Sequence, residues 1–273
     1  MLAGYIVVGL ALLQPAAALR MHSAAALRMH SAASLRSSAS PSTSTATPAL
    51  RCTEMTMSEI VRGVGEGREL PAPSGINTLD TPLQAAVVVV ILAAIGAGAA
   101  LIAGPAFDAV RGSGLWNLSR PTWPALGLIY LAAGIAHFTE LEGFENITPP
   151  NGTWGWFYTP FSPKINVIWT GVVEIFGGSW MLFGALAPLA GFVLPPALGP
   201  VVSDAALTLF LLTIVVTPAN IYALTHGANF PLDLETPPKA HAVRLAFQSV
   251  LLALFWEMAQ PTLLDAKAIM ASM

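Results

Sequence analysis

Charge is scarce in this sequence: only 10% of its 273 residues are Asp, Glu, Lys or Arg, and 55% are hydrophobic. With a mean hydropathy of +0.66, that balance excludes an ordinary soluble domain of this length. Cysteine is nearly absent. Cys52 stands alone, which excludes an internal disulfide, a CxxC redox pair and a cysteine-ligated cluster within the chain. Phosphate-binding loops, zinc-ligand spacings and nucleophilic triads are missing, and no ligand set for a metal is evident. The alternating ten-residue pattern of a membrane barrel is missing too. The net charge is −3, and Arg20, Arg28, Arg36 and Arg51 all precede the first acid, Glu54, so the remainder is acidic and carries no nucleic-acid footprint.

What is present is a series of separated apolar runs near 20 residues, the pattern of a polytopic α-helical membrane protein. The expected fold is all-α, with spans at Leu83 to Gly104, Pro124 to Glu140, Ile165 to Leu186, Leu207 to Thr225 and Ala240 to Ala259. Pro218 is expected to kink or stop the fourth span, and Gln260-Pro261 to stop the fifth ahead of a tail, residues 260–273. Pro105 to Pro121 reads as an interfacial link. Leu141 to Lys164, with Trp154, Trp156 and Tyr158, reads as a rigid aromatic loop folded against the membrane surface.

The N-terminal region reads as an address. Residues 1–18 hold a short apolar core, Tyr5 to Leu13, and a small-residue site at Ala16-Ala17-Ala18, as in a signal peptide, though without a basic start. Residues 19–52 are rich in Ala, Ser, Thr and Arg, have no acids, repeat LRMHSAA at Leu19 and Leu27, and read as a transit peptide; a disordered secretory stalk is the alternative. Residues 53–82 read as a flexible extension. The tandem leader resembles the bipartite plastid-targeting leader of algae whose plastids lie inside the secretory system. The expected location is therefore a plastid membrane, thylakoid or envelope.

One carboxylate decides where the site is sought. Glu174 falls near the centre of the third span, where an acid costs roughly 2.5–3.5 kcal/mol even on a lenient scale, so it must face inward, be protonated or find a partner. Asn166, Thr170 and Glu174 share its face at i, i+4 and i+8. On the fifth span His241, Arg244 and Gln248 share a face, on the second Tyr130, Gly134 and His137 do, and the fourth adds Asn220 beside Pro218. Arg244 is the expected partner of Glu174, because its fork suits a carboxylate. Asn220 is expected to satisfy backbone groups freed at Pro218, and the Trp154 cluster to anchor at the interface. Glu174 reads either as a proton or ligand site or as a lock on helix packing; His137 reads either as a capping group or as a quinone or haem contact. No paired-His spacing within a helix supports haem.

The segments YLAAGIAHF from Tyr130, PP at Pro149, TGVVEIFGG from Thr170, TPANIYAL from Thr217 and RLAFQSVLLALFW from Arg244 resemble, in order and spacing, the DoxX-like membrane proteins. The resemblance covers about Thr122 to Met258. It implies a four-helix transmembrane bundle over residues 122–259, with residues 83–104 as one additional N-terminal transmembrane helix. It also implies that His137, Glu174, Asn220, Arg244 and Gln248 form one site, with Asn166, Thr170 and His241 secondary to it. It settles no activity, since the family name descends from small subunits of a thiosulfate:quinone oxidoreductase while other relatives assemble receptors. Lacking redox side chains, the chain is expected to be a non-enzymatic assembly or structural subunit among membrane-protein partners and lipid. The alternative is a quinone-linked redox subunit, with quinone as its one remaining cofactor.

Overall fold

The computed structural model describes residues 74–195, 198, 200–227 and 238–272. The expected signal peptide, transit peptide and most of the extension lie outside them, as do residues 228–237. The described residues are helical and contain no strand. Five helices carry the architecture: α1, Thr81–Leu101; α2, Trp123–Thr139; α3, Pro163–Leu189; α4, Val201–His226; and α5, Pro238–Ser272. Among the described residues, four segments are long and apolar enough to cross a membrane: Thr81–Gly112, Pro163–Leu189, Val201–His226 and Lys239–Ala271. At 17 residues, α2 reaches only about 25 Å.

Helix starts follow local chemistry. Pro163 opens α3 behind Ser162, whose hydroxyl accepts the Ile165 N–H at 3.3 Å, and prolines also open α1 and α2. Residues 74–80, at the end of the expected extension, are held in place: the Ser74 hydroxyl donates to the Thr225 carbonyl at 3.4 Å, and Gln84 ties back the carbonyls of Asn77 and Leu79.

Helix ends depart from the sequence expectation at Pro105 and Pro261, and at Pro218, where a kink or a stop was expected, the helix continues. Past Pro105 the chain winds through one π-helical turn, Ile102–Ala106, into the helix Phe107–Gly112, because the wider turn accommodates a residue without an N–H. α4 runs through Pro218 and α5 through Pro261, so residues 260–272 continue a helix instead of forming a tail. Beside Pro261, the Thr262 N–H finds the Ser203 hydroxyl of α4 at 3.0 Å, while the Thr262 hydroxyl reaches Asp204. A neighbouring helix thus satisfies what the broken ladder leaves open.

The helices pack in the order α2, α3, α4, α5, α1. Contact between α2 and α3 is backbone to backbone. A Cβ on Gly178 would lie 2.4 Å from the Leu131 nitrogen, one on Gly127 would lie 2.6 Å from the Leu182 nitrogen, and one on Gly134 would lie 2.7 Å from the Ile175 nitrogen. The glycines stand seven apart on each helix, two turns, so they fall on one seam. α1 docks on α5 by a smaller version of this contact, with Ser249 over Gly98 and its hydroxyl donating to the Ile95 carbonyl at 3.1 Å.

The loop between α2 and α3 folds back onto the bundle. Trp154 was expected at the interface, but it is 2% exposed, packed with Ile221, Tyr222 and Val88, and donates from its indole to Thr225 at 3.2 Å. It holds a left-handed backbone, φ 55°, which costs a non-glycine residue about 1–3 kcal/mol and is retained because the buried ring fixes it. Trp156 and Tyr158 are exposed.

Gly178→Ala should lower stability by ~1–3 kcal/mol, since the methyl meets main chain that cannot swing aside. Gly96→Ala, with open space around it, should be neutral or slightly stabilising. Thermal denaturation of both variants in mild detergent checks the contrast.

Candidate functional site

The residues singled out in the sequence fall at two helix interfaces. At the first, between α2 and α3, His137 and Glu174 are buried and face each other, with His137 Nδ1 3.3 Å from Glu174 Oε2. Glycine makes this meeting possible: a Cβ on Gly171 would lie 2.6 Å from the Cβ of His137, so the histidine occupies the missing side chain's place, one turn from Glu174. Phe144, from the short helix Leu141–Asn146, stacks on the imidazole at 3.9 Å and closes the site from the loop side. His137 Nδ1 also lies 3.0 Å from the Ala133 carbonyl, and an N–H there donates to that carbonyl. The buried Glu174 Oε2 consequently takes no hydrogen bond, and its contact with His137 is electrostatic.

The second interface joins α4 and α5 through a chain of donors running one way. The Arg244 guanidinium donates to Asn220 Oδ1. Asn220 Nδ2 donates to Gln248 Oε1 at 2.9 Å, and Gln248 Nε2 donates to the Thr217 hydroxyl at 2.5 Å and to the Thr213 carbonyl at 3.1 Å. Because a guanidinium can only donate, it sets the orientation of both amides after it. The chain ends in the turn before Pro218, where the Thr213 carbonyl also accepts the Thr217 hydroxyl at 2.7 Å. Asn220, expected to serve backbone groups freed at Pro218, instead bonds Arg244 and Gln248. From α2, the Tyr130 hydroxyl approaches Thr213 Oγ1 at 3.4 Å, which brings a third helix to the network.

The partner expected for Glu174 is thus replaced: His137 faces it, while Arg244 is turned to Asn220. Neither His137 nor Glu174 hydrogen-bonds to a member of the Arg244 chain. The secondary residues also separate. Thr170 bonds back to the Asn166 and Val167 carbonyls of its own helix, at 2.7 and 3.1 Å. Asn166 binds Thr159, the Phe161 carbonyl and the Trp169 indole, fastening the aromatic loop to the start of α3. His241 is buried one turn before Arg244. Among the described residues, no group of three or more His, Cys, Asp or Glu is placed to hold a metal ion.

A third polar contact went unread in the sequence. Glu257, 8% exposed on α5, accepts from Arg111 in the helix following α1; Arg111 also pairs with Asp108 at 3.2 Å. The signal was available. Glu257 is an acid inside a long apolar run, and the cost argument applied to Glu174 applies to it as well.

Gln248→Leu should destabilise the chain by about 1–3 kcal/mol in mild detergent, because it removes the acceptor of the Asn220 amide from the helix interface. Asn220→Ala should cost a similar amount, and the double variant less than the sum, a coupling that a double-mutant cycle of melting curves would measure.

Comparison of the chain with protein-family models, with curated proteins and with solved structures found no match in any of the three.

Proposed function

We propose that this chain is a multi-pass membrane protein with a structural or assembly role and no chemistry of its own. Its five helices are read as a DoxX-like four-helix bundle, α2 to α5, with α1 as an added span, and the residues ahead of it as a leader to a plastid membrane. The resemblance in order and spacing of the segments from Tyr130 to Trp256 supports the first part of that reading, and the leader's composition supports the second.

The observation that carries the proposal is the way the polar groups between α4 and α5 are consumed. One arm of the Arg244 guanidinium ends on Asn220, and the amides after it, Asn220 and Gln248, end on another side chain or on the bundle's own backbone. In an apolar surrounding such a chain fixes the register of two helices, a structural use of buried polarity. Trp156, Tyr158 and Phe161 remain exposed on the loop fastened by Asn166 and Trp154, a rigid aromatic surface suited to a partner in the same membrane.

A second reading is favoured by one feature. The Oε2 oxygen of Glu174 is buried without a hydrogen bond, 3.3 Å from a histidine, an arrangement that can accept and pass a proton. On that reading the chain is a quinone-linked redox subunit, with Glu174 and His137 exchanging protons with the bound ring.

Purification of the full chain in mild detergent, followed by lipid extraction and a redox difference spectrum, separates the two. The structural reading expects a larger complex with no stoichiometric quinone or haem; a stoichiometric redox ligand would overturn it. Glu174→Gln should then leave melting and complex size unchanged, because the amide keeps the volume and removes only the titratable group. Glu174→Leu should lower the melting temperature.

A further inference from the structure

The opposite end of the bundle from the aromatic loop holds a feature that neither polar interface uses. A cavity of about 370 Å³ opens where α2 begins and α3 ends, lined by Trp116, Arg120, Trp123, the first residues of α4, and Glu257 and Met258 of α5. Its size falls within the ~300–1,000 Å³ typical of small-ligand sites.

The charges lining it are not equivalent. Glu257 accepts from Arg111, so its charge is already answered, and Arg111 is shared with Asp108. Arg120 is exposed, makes no ion pair among the described residues, and lies over the Trp123 ring with its guanidinium carbon 5.8 Å from the centroid. The Trp123 indole N–H is spent on the Ser119 hydroxyl at 3.3 Å, and Trp116 packs between Phe107 and Trp123. What remains available is one cation against an aromatic and aliphatic wall.

That wall stands where α2 and α4 start and α3 ends, and tryptophans at helix ends mark the boundary between hydrocarbon and headgroups. A guanidinium at that level offers forked donors to a phosphate or sulfonate, and the apolar lining offers a bed for the glycerol and upper acyl chain.

We propose that this cavity holds the headgroup of an anionic lipid, with Arg120 bound to its acidic oxygens and the Trp116–Trp123 pair packed beside its glycerol region. Arg120 is the charged group of the lining that makes no ion pair among the described residues, which selects an anionic lipid over a zwitterionic one.

The test uses the full chain in mild detergent, exchanged into mixed micelles containing either phosphatidylglycerol or phosphatidylcholine, with lipid retained per chain counted after gel filtration. The wild type should keep about one phosphatidylglycerol and far less phosphatidylcholine. Arg120→Gln should cut phosphatidylglycerol retention roughly tenfold, the loss of one charge-assisted contact. Lys164→Gln, a charge removed at the other end of α3, should change nothing. If Arg120→Gln lowers the melting temperature, Arg120→Lys supplies the comparison, since keeping the charge should keep most of the lipid. Equal retention of both lipids, or wild-type retention by the Gln variant, overturns the proposal. Displacement of the lipid by inorganic phosphate at equal concentration would reassign the cavity to free anions and overturn it as well.

Discussion

The close approach of α2 and α3 is the constraint on which the rest depends. Gly127, Gly134, Gly171 and Gly178 bring two main chains to a separation at which any Cβ would meet a backbone atom or the root of His137. In lipid, helix association gains little from hydrophobicity, since acyl chains are as apolar as leucine; close packing and hydrogen bonds supply what holds helices together. The seam between α2 and α3 supplies packing. It also fixes the depth of His137 against Glu174, so the one acid facing imidazole owes its position to a glycine one turn before it.

Hydrogen bonds supply the second attachment. Where α4 meets α5 the contact is polar, and its order follows from a single fact: Arg244 has donors and no acceptors. The amides of Asn220 and Gln248 therefore point one way, and the chain closes on the backbone before Pro218. The two interfaces touch through Tyr130, which leaves the glycine seam to meet Thr213. A buried acid–histidine pair and a one-way donor chain thus sit side by side with separate partners, one able to change protonation and the other fixing two helices.

Three prolines show how such a bundle tolerates broken ladders. At Pro105 the chain widens into a π turn; in the turn before Pro218 a side chain from α5 binds the Thr213 carbonyl; beside Pro261 a side chain from α4 takes the neighbouring N–H. In the last two cases the bond crosses between the same two helices in opposite directions, so each proline sits beside a point of attachment. At Pro261, expected to stop the fifth span, the helix runs on to Ser272, with Ser203 of α4 accepting the Thr262 N–H beside the break.

Run length and hydropathy along the chain determined the helical class and the near positions of the long helices, since both are local properties of consecutive residues. The interior placement of Glu174 followed from the cost of polarity in an apolar run, which is equally local, whereas the burial of His137, read as a capping group or a ligand contact, did not. The expectation of one site, and of Arg244 as the partner of Glu174, could not be checked against spacing, because spacing gives the face of a helix and not the face it meets. Trp154 looked like an interfacial anchor for the same reason: its burial against Tyr222 depends on a loop returning 68 residues ahead of that tyrosine. Partnership between residues on different helices is decided by crossing geometry, and that geometry is set by glycines whose role appears only when the opposing backbone is in place.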